Sequence, residues 1–374
     1  MMKSLIVLTF LFTIFFFHQS SSSTLPITYS VLNLGAKPDG KTDSTKSFLS
    51  AWALACGSAQ PATIYVPPGR YLIGRPANFG GLCKTSAITI RIDGTLVAPS
   101  NYNVLGNAGN WLLFEGVNGV SIAGGMLDGQ GASLWACKAS GKTCPDGATT
   151  LSFTNSNNIL ISGLTSINSQ LFHIVINGCD NVKLQGVKVP ASGNSSNTDG
   201  IHVQLSSGVT ILNSKISTGD DCVSIGAGNT NLWIENVACG PGHGISIGST
   251  ENGVRTKTWG RPSNGFVRGV LFQHAMWCLG AGVFLVVGLS PTRSAPTTKV
   301  ALISGVKISD ITYSDIHGTS ATEVAVKFLC SKAHSCSGIR LEDVKLTYKN
   351  QPAKASCANA RGTSSGIVQP MSCL

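Results

Sequence analysis

Three aspartates and one histidine in the middle of the chain have residue types and spacing suited to acid–base chemistry. Asp220 and Asp221 are adjacent in the stretch STGDDCVSIG (217–226). Asp199, Asp221 and His243 are evenly spaced along the chain, with the same interval on either side of Asp221. Crowded carboxylates repel one another, which raises the pKa of at least one of them. Such a cluster can therefore keep one proton available for donation while a neighbouring carboxylate stays ionised.

Three chemical interpretations are open for this cluster. A calcium site would need further oxygen ligands, and histidine is a poor calcium ligand. A zinc site is not indicated either, because the chain has no C-x-x-C motif. A solvated stripe of polar turn residues is the structural alternative. Glycoside hydrolysis explains the residue types best, since it needs one acid to protonate the leaving oxygen and one base to activate water. We therefore expect no metal and no cofactor.

Internal repeats are the elements that must position these residues. One strand pattern recurs at nearly even intervals, with matching apolar positions at Ile159, Val182, Val209 and Leu232. A second short strand recurs at even intervals, with matching positions at Ile201, Val223 and Ile245. Repeats of this kind predict an all-β chain folded as a right-handed parallel β-helix, because each coil buries its inward residues against its neighbours. The alternative, a β-propeller, needs about 40 residues per blade.

The coil register has a direct consequence for the acidic cluster. Residues one coil apart stack on the same face of the solenoid. Asp199, Asp221 and His243 have the same spacing as Ile201, Val223 and Ile245, so we expect them to lie in successive layers. Neighbouring residues of a strand point to opposite faces. Asp220 and Asp221 can therefore act together only if the backbone bends there, and a disulfide at Cys222 would hold such a bend.

The N-terminus is typical of a secretory signal peptide over residues 1–23. Lys3 precedes an apolar run from Leu5 to Phe17, which small polar residues follow. This run is too short to span a bilayer, so a membrane anchor is the weaker alternative. We expect an exported protein in which residues 24–374 form a single β-helix domain. Export would also open the sequon Asn194-Ser195-Ser196 to glycosylation.

The charge of the chain restricts its partners. The formal net charge of +10 favours an acidic partner, which could be a polyanionic polysaccharide, an anionic membrane or a nucleic acid. Export disfavours nucleic acid, and the basic residues are scattered rather than clustered in a run. No apolar segment after the leader is long enough to span a bilayer, so we expect no membrane insertion. The net charge fits an acidic polysaccharide, although it fits other acidic partners as well, and we expect the protein to be a monomer.

Twelve cysteines in an exported chain indicate disulfides. The spacing suggests three short-range pairs and two at longer range, and it leaves Cys179 and Cys278 over. The suggested pairs are Cys137/Cys144, Cys330/Cys336, Cys357/Cys373, Cys56/Cys83 and Cys222/Cys239.

Four segments, in order, resemble the signature segments of the plant polygalacturonases, which are β-helix glycoside hydrolases that cleave pectin. They are NTDGIHV (197–203), STGDDCVSIG (217–226), CGPGHGISIGS (239–249) and GVRTKTWGRPS (253–263). Shorter matches such as FHI (172–174) support them, and HGTSATEVAVKF (317–328) is most similar to the exo-acting, pollen-type branch. The resemblance implies pectin or polygalacturonate as the substrate and the cell wall as the location.

The resemblance also implies a role for each site residue. Asp220 would be the general acid, while Asp199 and Asp221 would hold and deprotonate water in an inverting hydrolysis of α-1,4-galacturonosyl linkages. His243 would keep the acid correctly protonated. Four further residues would bind the substrate, and the basic ones suit its carboxylates. These substrate-binding residues are Arg255, Lys257, Tyr313 and Asn197.

The sequence departs from this family pattern in two places. No strand of the first repeat type separates Ile245 from Val254, which follow each other at less than half the usual interval, so part of one coil is missing near residues 248–254. Either the chain makes a tight detour there, or Arg255 and Lys257 are displaced from the carboxylates. Strand alternation is also lost between residues 277 and 303. These departures predict weak hydrolysis, and the alternative function is that of a catalytically impaired, pectin-binding cell-wall relative.

Overall fold

The computed structural model describes residues 25–248, 253–259, 264–277, 285–290, 305–320 and 322–374. The predicted signal peptide, Cys278 and most of the atypical segment 277–303 lie outside the described residues. Within them, no helix has both the length and the apolar character needed to cross a membrane.

The described chain is built mainly of short parallel strands that wind into a right-handed parallel β-helix with three faces. The strands of the first face are Ile27–Ser30, Ala62–Val66, Ile88–Ile92, Val120–Ala123, Asn157–Ser162 and Asp180–Gln185. Those of the second face are Asp39–Asp43, Arg70–Leu72, Thr95–Val97, Met126–Asp128, Thr165–Ile167 and Lys188–Pro190. Two longer strands, Ser207–Ser217 and Thr230–Cys239, continue both faces and join them into one sheet of 14 strands.

The third face is a separate sheet of 11 strands, and a C-terminal sheet of five strands completes the solenoid. The strands of the third face are Ala77–Gly80, Asn110–Glu115, Thr149–Thr154, Ile174–Asn177, Ile201–Gln204, Val223–Ile225, Gly244–Gly248, Gly253–Trp259, Leu285–Ser290, Val324–Leu329 and Lys354–Ala358. Those of the C-terminal sheet are Asn264–Trp277, Gly305–Thr319, Cys336–Tyr348, Gln351–Pro352 and Ala360–Gln369.

The predicted registers of the repeats are confirmed. On the first face, Ile159 pairs with Val182, Val182 with Val209, and Val209 with Leu232. On the third face, Ile201, Val223 and Ile245 lie side by side in three neighbouring strands. The all-β parallel β-helix predicted from these spacings is therefore the observed fold.

Asparagine and glycine recur in five successive coils because each of these coils has a left-handed residue just before its first inward side chain. Gly119, Asn158, Asn181, Gly208 and Asn231 occupy this position, and all have φ between 53° and 70°. Glycine and asparagine adopt this conformation at the lowest cost. At Gly119 the glycine is also required by space, since a Cβ there would collide with the backbone of Ser86.

The core is one cluster of inward-facing apolar side chains that stack from coil to coil. Phe79, Phe114 and Phe153 form one such stack on the third face, with successive ring centroids 4.8 and 4.7 Å apart. The helix Thr45–Gly57 lies at the N-terminal end of the solenoid, where it buries Phe48 and Trp52. This helix keeps the first coil from exposing its open core.

Two short 3₁₀ helices, Leu32–Leu34 and Tyr102–Val104, and a second α-helix, Ala132–Ala139, lie in the loops between strands. All five predicted cysteine pairs form disulfides. Cys179, left over in the sequence, is a buried free thiol.

The predicted loss of part of one coil is visible between Gly248 and Gly253. Here two strands of the third face follow each other in the chain and pair in parallel, with Ile245 beside Val254. The intervening residues 249–252 are too few to form the strand that the first face contributes to every earlier coil. Of the two alternatives, the tight detour agrees with this pairing, since the backbone of the strand Gly253–Trp259 is not displaced from its neighbour.

The edge of the first face shows what the missing strand would cover. Val209 and Ile211 are fully buried between neighbouring strands. Leu232 and Ile234, their counterparts in the last strand of that face, are only half-buried. Trp233, between them, pairs with Thr210 on the outward side of the strand, and its exposure therefore follows from strand alternation. The interruption thus leaves apolar side chains partly open to solvent.

Candidate active site

The acidic cluster lies at the N-terminal ends of three neighbouring strands of the third face. Asp199 precedes the strand Ile201–Gln204, Asp221 precedes Val223–Ile225, and His243 precedes Gly244–Gly248. Because these strands pair in register, the three residues fall in successive layers. The layering predicted from their even spacing is confirmed.

The backbone bends between residues 218 and 222, as the pair of adjacent aspartates requires. The strand before the bend ends at Ser217, and the next one begins at Val223. A Cβ at Gly219 would collide with the backbone of Ser195, so only glycine allows this close approach. The disulfide from Cys222 to Cys239 fixes the end of the bend. Asp220 and Asp221 can therefore present their side chains to the same site.

Asp220 and His243 form the more accessible part of the cluster. The Nδ1 atom of His243 lies 3.1 Å from the Oδ1 atom of Asp220, and the exposed fractions of the two side chains are 39% and 23%. The backbone N–H of His243 also donates to the carbonyl oxygen of Asp220, at 2.7 Å. Both contacts hold the imidazole against the one carboxylate of the site that solvent reaches readily.

Asp199 is a buried carboxylate with a raised pKa. It is 7% exposed, and its Oδ2 atom accepts a hydrogen bond from the Ser224 hydroxyl. The pKa of Asp199 is raised to about 7, chiefly by burial. The hydrogen bond from Ser224 and the nearby His243 oppose this rise, and the negative charges of Asp220 and Asp221 add to it. The prediction that one carboxylate of the cluster has a raised pKa is confirmed, although burial contributes more than repulsion.

Asp221 is held in the same way as Asp199, one layer along. It is 4% exposed, and its Oδ2 atom accepts a hydrogen bond from the Ser246 hydroxyl. Each serine follows its aspartate at the same separation in the sequence. Each buried carboxylate is thus fixed by a hydroxyl of the next coil.

These serines were not identified from the sequence, although a signal was present. Ser224 and Ser246 occupy the same place in DCVSI and GISI, and their strands pair them directly. A polar residue repeated in register beside two repeated carboxylates was the available indication. His202 belongs to the same column, since it pairs with Ser224.

Three side chains of the cluster lie close enough together to bind a metal ion. Asp220, Asp221 and His243 present polar atoms that all lie within 4.8 Å of one another. However, calcium prefers six to eight oxygen ligands, and the Nδ1 atom of His243 already contacts Asp220. We therefore interpret these residues as an acid–base group and assign no metal to them.

The residues predicted to bind substrate fall in three different places. Asn197 is exposed in the turn before Asp199, at the rim of the site, with φ of 58°. The backbones of Arg255 and Lys257 pair with those of Ser246 and Gly248, one layer beyond His243. The side chains of Arg255 and Lys257 lie outside the described part of the structure.

The prediction that Tyr313 contacts the sugar is wrong for the structure as described. Tyr313 is 0% exposed and stacks on Phe272 with a centroid separation of 5.1 Å, inside the core of the C-terminal sheet. Strand alternation would have indicated this, because Tyr313 lies on the same side of its strand as Ile311, which is also fully buried. The prediction for Tyr313 followed the family resemblance and not this strand alternation.

Comparison with known proteins relates this geometry to a family. The family model described as "Glycosyl hydrolases family 28" matches residues 56–252 and 249–373. A polygalacturonase of Prunus persica is 60% identical over 386 aligned positions, which cover 96% of this chain and 97% of the relative. An exopolygalacturonase of Platanus acerifolia is 38% identical over 384 positions, covering 94% of this chain and 98% of the relative. The crystal structure of an endo-xylogalacturonan hydrolase from Aspergillus tubingensis has the same fold, with a TM-score of 0.67 at 21% identity, covering 91% of this chain and 100% of that one.

The same comparisons mark the interruption of the solenoid. The family match is divided into two pieces that meet at residues 249–252, the point where two strands of the third face follow each other. In addition, the alignment with the Prunus persica relative has 386 positions although this chain has only 374 residues, so some of those positions hold no residue of this chain. Both findings agree with the loss of part of one coil.

Proposed function

Because the chain belongs to family 28 of the glycosyl hydrolases, we propose that it hydrolyses the α-1,4-galacturonosyl linkages of polygalacturonate, the acidic polysaccharide of pectin. The names of the Prunus persica and Platanus acerifolia relatives support this substrate. The net charge of +10 supports it as well, because a basic protein attracts a polyanion.

The observation that carries the proposal is the division of the cluster into one accessible and two buried carboxylates. Asp220 contacts His243 and is open to solvent, which suits the acid that must reach the leaving oxygen. Asp199 and Asp221 are buried and held by serines, which suits a pair that fixes a water molecule for attack. In an inverting reaction, this water attacks from the side of the sugar opposite to the acid.

The accessory roles follow from position. His243 keeps Asp220 correctly protonated through the contact at Nδ1. Arg255 and Lys257, one layer beyond, supply positive charge for the substrate carboxylate. Asn197 contacts the substrate from the rim.

We further propose that the enzyme is exo-acting, a secreted monomer and a cell-wall protein. Relatives named exopolygalacturonases, at 36% to 38% identity, support exo action, as does the segment HGTSATEVAVKF. The N-terminal leader supports secretion. Chromatography of the products tests the mode of action, since an exo enzyme releases mono- or digalacturonate from the first time point.

The direct test is the release of reducing sugar from polygalacturonate by the wild type and by Asp220→Asn. We expect turnover that the substitution lowers by about 10²- to 10⁴-fold, the usual contribution of a general acid. Asp180→Asn is the matched control, because this exposed aspartate lies on the first face. Equal rates in the wild type and Asp220→Asn would refute the assignment.

The interruption near residue 250 favours a second candidate, a pectin-binding relative with impaired catalysis. Such a protein would bind polygalacturonate without releasing product, and Asp220→Asn would leave its affinity unchanged. Measuring binding and product release on the same samples separates the two functions.

A further inference from the structure

We propose that Ser224 and His202 are positioning residues that form a proton relay from buried Asp199 towards solvent. The inference rests on the proposed function, in which Asp199 takes part in accepting a proton from the attacking water. A buried base must lose that proton again before the next turnover, and the relay provides the route.

The contacts of Ser224 place it between the two ends of the relay. Its hydroxyl donates to the Oδ2 atom of Asp199, and its oxygen lies 2.7 Å from the Nδ1 atom of His202. Ser224 is 8% exposed, so water has little access to compete for these bonds. The strands Ile201–Gln204 and Val223–Ile225 pair His202 directly with Ser224, which fixes the contact through the backbone.

His202 suits the outer end of the relay. Its ring stacks on Phe172, with centroids 5.2 Å apart and planes at 25°, and the residue is half-buried. Burial lowers the pKa of His202, against a hydrogen bond with Gln204 that raises it. A neutral imidazole can carry its proton on either nitrogen, so His202 can accept at Nδ1 and release from Nε2.

The proton balance has two states. When Asp199 is protonated, its O–H donates to Ser224 and the serine hydroxyl donates to the Nδ1 atom of His202. Transfer moves the Asp199 proton to Ser224 and the serine proton to Nδ1, after which His202 releases its Nε2 proton to water. Asp199 is then ionised, Ser224 donates to it, and the Nδ1–H group of His202 donates to Ser224. Before the next transfer, His202 takes up a proton from water at Nε2 and loses the Nδ1 proton to water, which restores its first tautomer with no net change in protons.

The electrostatic surroundings of Asp199 make the relay relevant near neutral pH. In the part of the chain that the structure describes, the charged groups that act on it are Asp220, Asp221 and His243. With a pKa raised to about 7, Asp199 is protonated in a large fraction of molecules at neutral pH. Its hydrogen bond from Ser224 favours the ionised form and opposes that shift.

The first test is the pH dependence of kcat/KM. Removing the Ser224 donor in Ser224→Ala raises the pKa of Asp199, so the acidic limb of the profile moves to higher pH by at least about 0.5 units. His202→Phe keeps the stacked ring but removes Nδ1, and we expect kcat to fall about tenfold with KM little changed.

Ser152→Ala is the matched control for Ser224→Ala. Ser152 is a buried serine in the same column of the third face, two layers before His202, and its hydroxyl contacts Asn110. The Ser152→Ala variant should therefore lose a similar buried hydrogen bond while the acidic limb of its kcat/KM profile stays where it is in the wild type. If Ser224→Ala and Ser152→Ala gave the same profile, the relay would be overturned.

A second test does not depend on activity, so it distinguishes failure of the relay from failure of the proposed function. In protein labelled with ¹⁵N-histidine, the His202 resonances are identified by their loss in His202→Phe. We expect them to titrate near pH 7 together with Asp199, and this inflection should vanish in both Ser224→Ala and Asp199→Asn. If the His202 signals stay unchanged across the neutral pH range in the wild type, the coupling does not exist.

Discussion

At the scale of single residues, the site lowers the free energy of unfolding chiefly through the buried carboxylate of Asp199. Burial raises its pKa from 3.8 to about 7, so a folded molecule holds a proton that an unfolded one loses between these pH values. Stability conferred by this group is therefore complete below about pH 4 and declines as the pH rises to about 7. The shift of about three pKa units corresponds to about 4 kcal/mol at most.

Asp199→Asn should accordingly stabilise the protein in a pH-dependent way. The amide carries no charge to bury, and its oxygen can still accept the Ser224 hydrogen bond. We expect a gain in unfolding free energy of up to about 4 kcal/mol at about pH 8 and almost none at about pH 4, measured by urea denaturation. Asp180→Asn serves as the exposed control. A gain that is equal at both pH values would contradict the explanation.

Residue identity in the site was largely predictable from the sequence, while residue environment was not. The even spacing located Asp199, Asp221 and His243, because a parallel solenoid converts equal spacing into stacking. Burial depends on neighbouring coils that no single segment reveals, so the raised pKa of Asp199 could not be assigned to it in advance. The prediction that Tyr313 contacts the sugar was wrong for the opposite reason, since the strand alternation around Tyr313 already placed it in the core.

At the scale of elements, the bend at residues 218–222 is what makes the paired aspartates useful. Cys222, at its end, is fully buried and bonded to Cys239 in the next coil. The disulfide therefore ties the bend to the strand that precedes His243. Its loss should disturb the geometry of the site as well as the stability of the chain.

The double variant Cys222→Ala/Cys239→Ala tests this against Cys357→Ala/Cys373→Ala. The two disulfides close loops of similar length, with sequence separations of 17 and 16, so each removal should cost about 3 kcal/mol by loop entropy. We expect only the first variant to lose more than about tenfold in kcat, since a misplaced catalytic group is costly in rate. Urea denaturation and product release, assayed well below the melting temperature, provide the comparison.

An equal loss of kcat in the two double variants would mean that the bend does not depend on its disulfide.

The strands themselves were predicted well from the sequence, because the coils repeat the same alternation of apolar and polar residues and the same turn residues. The contacts of Ser224 and Ser246 with their aspartates join residues in different coils, across a bend whose geometry the sequence does not encode locally.

At the scale of the whole molecule, the interrupted coil is the feature that separates the two proposed functions, hydrolysis and binding without hydrolysis. The third face continues through the interruption, since Ile245 pairs with Val254 and the backbone of Arg255 follows that of Ser246. The hydrogen-bonded sheet of the first face ends at Thr230–Cys239, although the strand Asn264–Trp277 lies close to it, and Leu232 and Ile234 are half-buried there. The sequence already indicated that a strand of the first repeat type is missing, and the structure shows that Leu232 and Ile234 lie half-buried where the sheet of that face ends.

Restoring the missing segment should therefore improve both stability and activity. We expect that replacing residues 249–252 with the longer corresponding segment of the Prunus persica relative adds a strand that pairs with Thr230–Cys239. Burial of a large aliphatic side chain is worth about 1.5–3 kcal/mol, so covering Leu232 and Ile234 should raise the melting temperature by several degrees. We expect polygalacturonate hydrolysis to rise at least about tenfold, because the strand that carries Arg255 and Lys257 would gain the support of a complete coil. A Gly/Ser insert of the same length is the control, since it adds chain without a strand, and it should leave the melting temperature and the rate unchanged or lower. If both inserts behaved alike, or if the native chain were already as active as the Prunus persica relative, the interruption would have no bearing on function.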